Sequence, residues 1–333
     1  MGIDFVILWV DGNDPKWQSE KAKYNSNIND DSNTTNRYRD WGLLPYWFRG
    51  VEKFTPWVNK ILFVTWGHVP EFLNLNNPKL NVVKHTDFIP VEYLPTFSSH
   101  SIELNIHRIP GLSEQFVYFN DDMFIVRPMN EQAFFNENLP CTYGGEAPMA
   151  FQGDMGIWRH AAINNMGVIN DHFNKKEQLK FFRKKYISSN YRWQDNIRTF
   201  ALEVLFPDYF WGFKNLHAPG AYLKKTFEEV WEAEKDLLNK TCSHKFRSAD
   251  DVNQWVMLWW QIASGSFSPY NTDNLVCSVN KNTADFICNA IKSQINDMIC
   301  VNDSADESDF DFLSEELKSA FQTILPEKSS FEK

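Results

Sequence analysis

Residues 3–15 read IDFVILWVDGNDP. Ile3–Val10 is a short, nearly continuous apolar run, and Asp11-Gly12-Asn13-Asp14-Pro15 closes it with turn-forming residues. A run of that length, bounded that way, predicts a buried strand ending in a turn. Working outward, the signature returns at Lys60–Trp66 (KILFVTW), more weakly at Leu80–Lys84, and at Phe116–Phe119, which runs into Asn120-Asp121-Asp122. Helical spacings lie between: Leu44, Trp47, Phe48, Val51 and Phe54, stopped by Pro56, then Ile102, Ile106 and Ile109, ending near Pro110-Gly111. Strands alternating with helices predict an α/β fold with a mostly parallel sheet. In such sheets ligands bind outside the carboxyl ends of the strands. The Asp11–Asp14 and Asn120–Asp122 turns both fall at such ends, so one crevice is expected to hold both.

Residues 24–36 (YNSNINDDSNTTN) are polar and aperiodic, which reads as a loop. From about residue 133 the spacing turns helical, with expected helices at 160–172, 176–187, 194–205, 227–239 and 249–263. Seven acidic residues in 303–316 read as a solvated connector to a last helix at 313–324. The chain therefore divides into an α/β core, 1–130, and a mainly helical part, 131–333, packed on it.

The 333 residues include 28 Phe, 13 Trp and 11 Tyr, a composition that excludes a disordered chain. The net charge of −10 argues against a protein that coats nucleic acid, which needs a basic surface. Five scattered cysteines with no CxxC pair fit free thiols in a reducing compartment. The amino terminus enters a core strand directly, which reads as no signal peptide, and no apolar run reaches the ~20 residues of a membrane span. The expectation is a soluble cytoplasmic protein, with any place at the inner face of the membrane set by its substrate or partners.

Several clusters carry chemistry. Asp121 and Asp122 at a strand end suit a hard divalent cation such as Mg²⁺, although by spacing alone they read first as a turn of solvated aspartates. His100, Glu103 and His107 share one face of the expected helix beside Arg108, as an acid/base or metal cluster or as a polar face. Ser248 and Asp251 have capping-box spacing, which would open a helix just after Arg247 and make an anion site, unless Asp250 and Asp251 satisfy that end themselves. His217-Ala218-Pro219, the basic pair Arg37 and Arg39, and Trp9 at a strand end are weaker signals singly.

Together these segments resemble the Stealth family of sugar-phosphate transferases. It includes bacterial capsular polysaccharide phosphotransferases and the catalytic part of lysosomal-enzyme N-acetylglucosamine-1-phosphotransferase. Four blocks, about half the chain, carry the resemblance in the family's order. They are Ile3–Pro15; Arg37–Asp40 (RYRD) with Tyr46–Gly67 and Leu94–Arg127; Lys214–Ala263; and Ile299–Asp303 (ICVND). The string HRIPGLSEQFVYFNDDMF is the most specific. Trp41-Gly42-Leu43 departs from the Asn-Gly-Glu more common after RYRD.

The resemblance implies a Rossmann-like sheet similar to nucleotide-diphospho-sugar transferases, with the helical half completing the site. It implies transfer of hexose-1-phosphate from a UDP-hexose or UDP-N-acetylhexosamine to a hydroxyl of a free or lipid-linked glycan acceptor, with release of UMP. It assigns Trp9, Asp11, Asp14, Arg37, Arg39, His100, Arg108 and Asn302 to substrate binding. Asp121, Asp122 and Asp303 are its ligands for Mg²⁺ or Mn²⁺. Arg247 is to grip the phosphoryl group, and His217, then Glu103, are candidates for general base. Two rival readings share these residues: a metal-dependent glycosyltransferase that releases UDP, and a carbohydrate-binding protein without turnover.

Overall fold

The computed structural model describes residues 2–24, 38–149 and 156–333. Arg37 and the polar stretch at 24–36, Tyr24 excepted, lie outside the described residues. The chain opens on β1 (Ile3–Leu8), α1 (Pro15–Ala22) and α2 (Leu44–Phe54). The bounds of α2 follow from its residues. Pro45 sits in its first turn, where its missing N–H costs nothing. Thr55 closes it by donating its hydroxyl to the Val51 carbonyl, just before Pro56.

Next come β2 (Ile61–Thr65), β3 (Leu80–Lys84), α3 (His85–Phe88), α4 (Ser99–Leu104), β4 (Gln115–Phe119) and β5 (Met123–Ile125). A small sheet begins with β6 (Phe135–Asn136) and β7 (Leu139–Thr142). Three helices follow, α5 (Ile157–His172), α6 (Lys175–Tyr186) and α7 (Trp193–Leu205). The rest runs β8 (Gly220–Leu223), α8 (Lys224–Ala233), α9 (Lys235–Ser243), α10 (Trp255–Ala263), β9 (Ser268–Pro269), β10 (Asn274–Val279), α11 (Ala284–Ser293), β11 (Met298–Asp303) and α12 (Phe310–Ile324).

The central sheet has the order β3-β2-β1-β4-β8. Its first four strands are parallel, and β8 is antiparallel to β4. This is the expected α/β fold with a mostly parallel sheet. Phe5, Ile7, Phe63, Val117 and Phe119 face α2, α11 and α12, while Val6, Leu62, Val64, Phe116 and Tyr118 face α4, α8, α9 and α10. Burial on both faces explains the unbroken apolar runs. Each buried Phe contributes about 2–3 kcal/mol of apolar burial, which fixes the strand ends. The chain leaves β1 toward β2 on one side and meets β4 on the other, so a crevice opens between the carboxyl ends of β1 and β4.

Pairing crosses residue 130 twice. β8 extends the central sheet, and β11 pairs with β10 and, antiparallel, with β5. The second pairing sets the end of β11 beside the turn after β4, where the Val301 N–H donates to the Asp122 carbonyl at 2.9 Å.

Three helical expectations are corrected. The helix over 102–109 stops at Leu104, because the Asn105 amide turns back to the Ser101 carbonyl, and a short 3-10 turn carries Ile106–Arg108. The helix over 227–239 is two helices, α8 and α9, which break at Glu234. The helix over 249–263 begins only at Trp255.

Candidate active site

A cleft of about 700 Å³ opens at the carboxyl ends of β1 and β4. Its floor is the Asn120–Asp122 turn. Asp121 is exposed to the cleft, although the surrounding chain crowds its carboxyl. That desolvation, with the like charges of Asp122 and Asp40, pushes its pKa up to about 7. Burial also raises the Asp122 pKa, against the opposing pull of His217 and a hydrogen bond from Cys300. Asp122 Oδ1 is buried without a hydrogen-bond partner. Side-chain donor atoms of Asp122, His217 and Cys300 lie within 4.8 Å of one another.

These residues fit a hard divalent cation held by the Asp121 and Asp122 oxygens. Two crowded carboxylates and an unpartnered oxygen are what such a cation relieves. Burial and the neighbouring aspartates push the Cys300 thiol far up. Asp303, expected as a third ligand, is otherwise engaged. Arg39 forks onto it, Nε to Oδ2 at 2.9 Å and Nη2 to Oδ1 at 2.6 Å. Arg39 Nη1 makes no hydrogen bond but lies 3.6 Å from Glu307 Oε2, in a side chain that lines the cleft.

His217 enters from the segment before β8. Its φ of 45° is unusual for a residue with a side chain. Asn215 Oδ1 accepts its N–H, and Asn274 Nδ2 on β10 donates to its carbonyl, which hold it in that conformation. Arg247 lines the cleft and donates from Nη2 to Ser99 Oγ at 2.6 Å. No helix opens directly after it, since α10 starts eight residues later; the helix end it touches is that of α4, whose first residue is Ser99. The capping-box pair closes a turn instead: the Ser248 N–H donates to Asp251 Oδ2 at 2.8 Å. The fully buried Asp251 also pairs with His100 Nδ1 at 3.0 Å and His244 Nδ1 at 2.7 Å. The recruitment of Asp251 by two histidines is why the local signal misplaced the helix.

Aromatic side chains wall the cleft: Trp9, Trp17, Tyr38, Trp41, Phe97 and Trp158. Asp11 and Asp14 do not line it; they shape it. The Asp11 N–H donates to His68 Nε2, and the His68 ring stands edge-on to Trp9. Asp14 caps α1 by accepting from the Trp17 N–H at 2.8 Å.

The remaining expected residues separate. Asn302 lines the cleft. His100 lies behind it as the partner of Asp251. Glu103 is buried beneath Tyr118, whose hydroxyl is 3.3 Å from Glu103 Oε1 and 2.7 Å from Asn120 Oδ1. Arg108 is corrected to the outer surface, where it stacks over Trp231. His107, expected on the face of His100, packs against Phe227 and Trp231 instead. Sequence reasoning missed Ser99, Asp40, His85 and Trp158. His85 lines the cleft as a buried imidazole whose pKa burial lowers to about 3. Only Asp40, inside the RYRD block, and Ser99, inside the Leu94–Arg127 block, carried a sequence signal.

Comparison with known proteins follows the same blocks. Family models of Stealth protein conserved region 1 and conserved region 2 match residues 1–28 and 37–142. The chain is 40% identical to a capsular polysaccharide phosphotransferase, WcwK, of Streptococcus pneumoniae, over 99% of this chain and 98% of that one. It is 42% identical to a receptor polysaccharide phosphotransferase, WefC, of Streptococcus gordonii, over 99% and 98%. It is 37% identical to an exopolysaccharide phosphotransferase, cps2G, of Lactiplantibacillus plantarum, over 99% and 96%. With full-length identity at this level and both conserved regions in place, the chain belongs to the Stealth family.

Proposed function

We propose that the protein transfers hexose-1-phosphate from a UDP-sugar to a hydroxyl of a glycan acceptor in the synthesis of a cell-surface polysaccharide. The observation that carries this reading is the cleft floor. Two adjacent carboxylates with raised pKa values, one with an unpartnered oxygen, line the cleft together with His217, Arg39 and Arg247. That is a site for a diphosphate and its counter-cation. Its aromatic walls suit a base and a sugar ring.

The chemistry needs positioning more than covalent catalysis. Trp9, Trp17 and Tyr38 hold the donor's flat parts. Arg247 and Arg39 hold non-bridging oxygens of the diphosphate, Arg39 by exchanging its loose 3.6 Å pairing with the exposed Glu307 for the ligand. His217 takes the proton from the acceptor hydroxyl, and the Asp122 charge stabilises the imidazolium that forms. The acceptor oxygen then bonds to the β-phosphorus. The bond from that phosphorus to the bridging oxygen breaks, and UMP leaves with the oxygen. Mg²⁺ or Mn²⁺, when held by Asp121 and Asp122, supplies neutralisation of the diphosphate charge.

No helix among the described residues is long and apolar enough to cross a membrane. We place the enzyme in the cytoplasm, at the inner face of the membrane, with a free or lipid-linked glycan as acceptor. The deciding experiment incubates the protein with a panel of UDP-sugars, Mg²⁺ and glycan acceptors and identifies the nucleotide released. UMP with a phosphodiester-linked product is expected. UDP with a directly glycosylated product would replace the reading with a glycosyltransferase, and no turnover with any pair would leave a carbohydrate-binding protein.

A further inference from the structure

Helix α7 is amphipathic inside out. Its inward face is Asp195, Thr199 and Leu202, and the two polar members are fully engaged. Asp195 accepts from the Tyr143 hydroxyl and from Lys214, and Thr199 Oγ1 accepts from the Glu146 N–H. Its outward face is Trp193, Ile197, Phe200 and Val204, which are 67%, 59%, 49% and 61% exposed. At about 100° per residue these four fall in one narrow stripe, on the side opposite the buried face. Leu205, the last residue of α7, and Tyr209 just beyond it are also exposed. Among the described residues nothing covers it. A stripe of this kind in an otherwise well-packed protein marks an interaction surface.

The neighbouring helix names the partner. Arg183 of α6 pairs with Glu203 of α7 at 2.7 Å, and its guanidinium sits 5.7 Å from the Phe200 ring, so α6 borders the stripe. Residues 175–209 carry eight Lys or Arg against four acidic residues, of which Asp195 and Glu203 are ion-paired, in a chain whose net charge is −10. Lys176, Lys180, Lys184 and Arg192 are exposed and make no ion pair with a described residue. An apolar stripe edged by unpaired cations suits an anionic bilayer, with the side chains among the headgroups and the cations at the phosphates. A second copy of the chain fits less well, because a two-fold contact over the stripe would set basic α6 close to its own equivalent.

We propose that α6 and α7 form a docking surface for an anionic lipid bilayer. The surface lies close in sequence to the site. Six residues after Trp211 the chain delivers His217 to the cleft. Docking would bring the enzyme to the surface that holds a lipid-linked acceptor. That consequence rests on the functional reading above, whereas the docking surface stands on its own residues. Lipid binding is measured without turnover, so the two can fail separately.

The test is co-sedimentation of the full chain with vesicles of phosphatidylcholine alone or with about a third phosphatidylglycerol. Wild-type protein is expected to pellet with the anionic vesicles only, less as salt rises, with its tryptophan emission shifted to the blue. The double variants Ile197→Ser/Phe200→Ser and Lys180→Glu/Lys184→Glu should each weaken binding by about tenfold or more, with unchanged melting curves because all four side chains are exposed. If the apolar variant fails to fold, the charge variant decides. Wild-type protein left in the supernatant, or binding that neither variant moves, would overturn the proposal. So would a stable dimer that Ile197→Ser/Phe200→Ser splits, with no lipid binding, since the stripe would then be a self-interface.

Discussion

Two of the chain's Asp-Asp pairs, Asp121-Asp122 and Asp250-Asp251, look alike in sequence and differ in surroundings. Asp121-Asp122 follows β4 with both carboxyl pKa values raised and one oxygen without a partner. In Asp250-Asp251, the buried Asp251 carboxylate is tied by His100, His244 and the Ser248 N–H. The first pair is held in an unfavourable state that a ligand would relieve, while the second is satisfied by the protein itself. Residue type and spacing do not separate a working carboxylate from a structural one; its partners do.

The largest expected effect breaks that contrast at the first pair. Asp122→Asn keeps shape and removes the charge that faces His217 and the cation site. We expect kcat/KM to fall by about 10³-fold, ~4 kcal/mol of transition-state stabilisation, with a melting temperature no lower than wild type. An active Asp122→Asn would move the site elsewhere in the cleft.

At the second pair the expectation inverts. Asp251→Ala leaves the Ser248 N–H and two imidazoles without their acceptor in a buried setting. We expect about 3 kcal/mol of lost stability, read by denaturant unfolding, with kcat of the folded fraction changed far less than in Asp122→Asn. A stable Asp251→Ala protein with abolished turnover would make Asp251 part of the chemistry.

The same contrast explains what the sequence reveals. β1, β2, β4 and α2 are legible because their signals are local: an apolar run ending at Asp11 or Asn120, a stripe ending at Pro56. The cleft floor is legible because Asp121 and Asp122 belong to such a strand end. The opposite wall is not. Asp251 bonds to His100 across 151 positions and Asp303 to Arg39 across 264, so a correct capping-box spacing at Ser248 yields a turn rather than a helix. Asn105 likewise ends α4 early through its own side chain, which turns His107 and Arg108 away from the site. For α7 the apolar spacing predicts the helix, but not that its stripe faces outward.

Arg247 tests whether the second region also works at the cleft. Its fork already spends one nitrogen on Ser99, and the rest faces the cavity. Arg247→Lys keeps the charge and loses the fork, so kcat/KM should fall by about 10–100-fold. Ser248→Ala is the control. Its hydroxyl accepts only a long 3.4 Å contact from the Asp250 N–H, with no helix end to cap, so unfolding should shift by less than about 0.5 kcal/mol. Wild-type kinetics in Arg247→Lys would leave the phosphate to Arg39.

The smallest effect is a change of slope, and it sharpens the claim that the first pair is strained. Folding lifts the Asp121 pKa from its ordinary value near 3.8 to about 7. An acid whose pKa is raised by folding binds more protons in the native state across that interval, so its contribution to stability is complete below about pH 4 and is lost as pH rises through about 7. In metal-free buffer the wild-type melting temperature should therefore decline from pH 5 to pH 7.5 more steeply than that of Asp121→Asn, which has no proton to lose. Mg²⁺ or Mn²⁺ added at pH 7.5 should restore the wild type, because the cation stabilises the ionised carboxylates in place of the proton, and should restore Asp121→Asn less. Parallel pH profiles for the two proteins, with no cation effect on either, would show that Asp121 is an ordinary solvated aspartate, and the contrast between the two pairs would then rest on Asp122 alone.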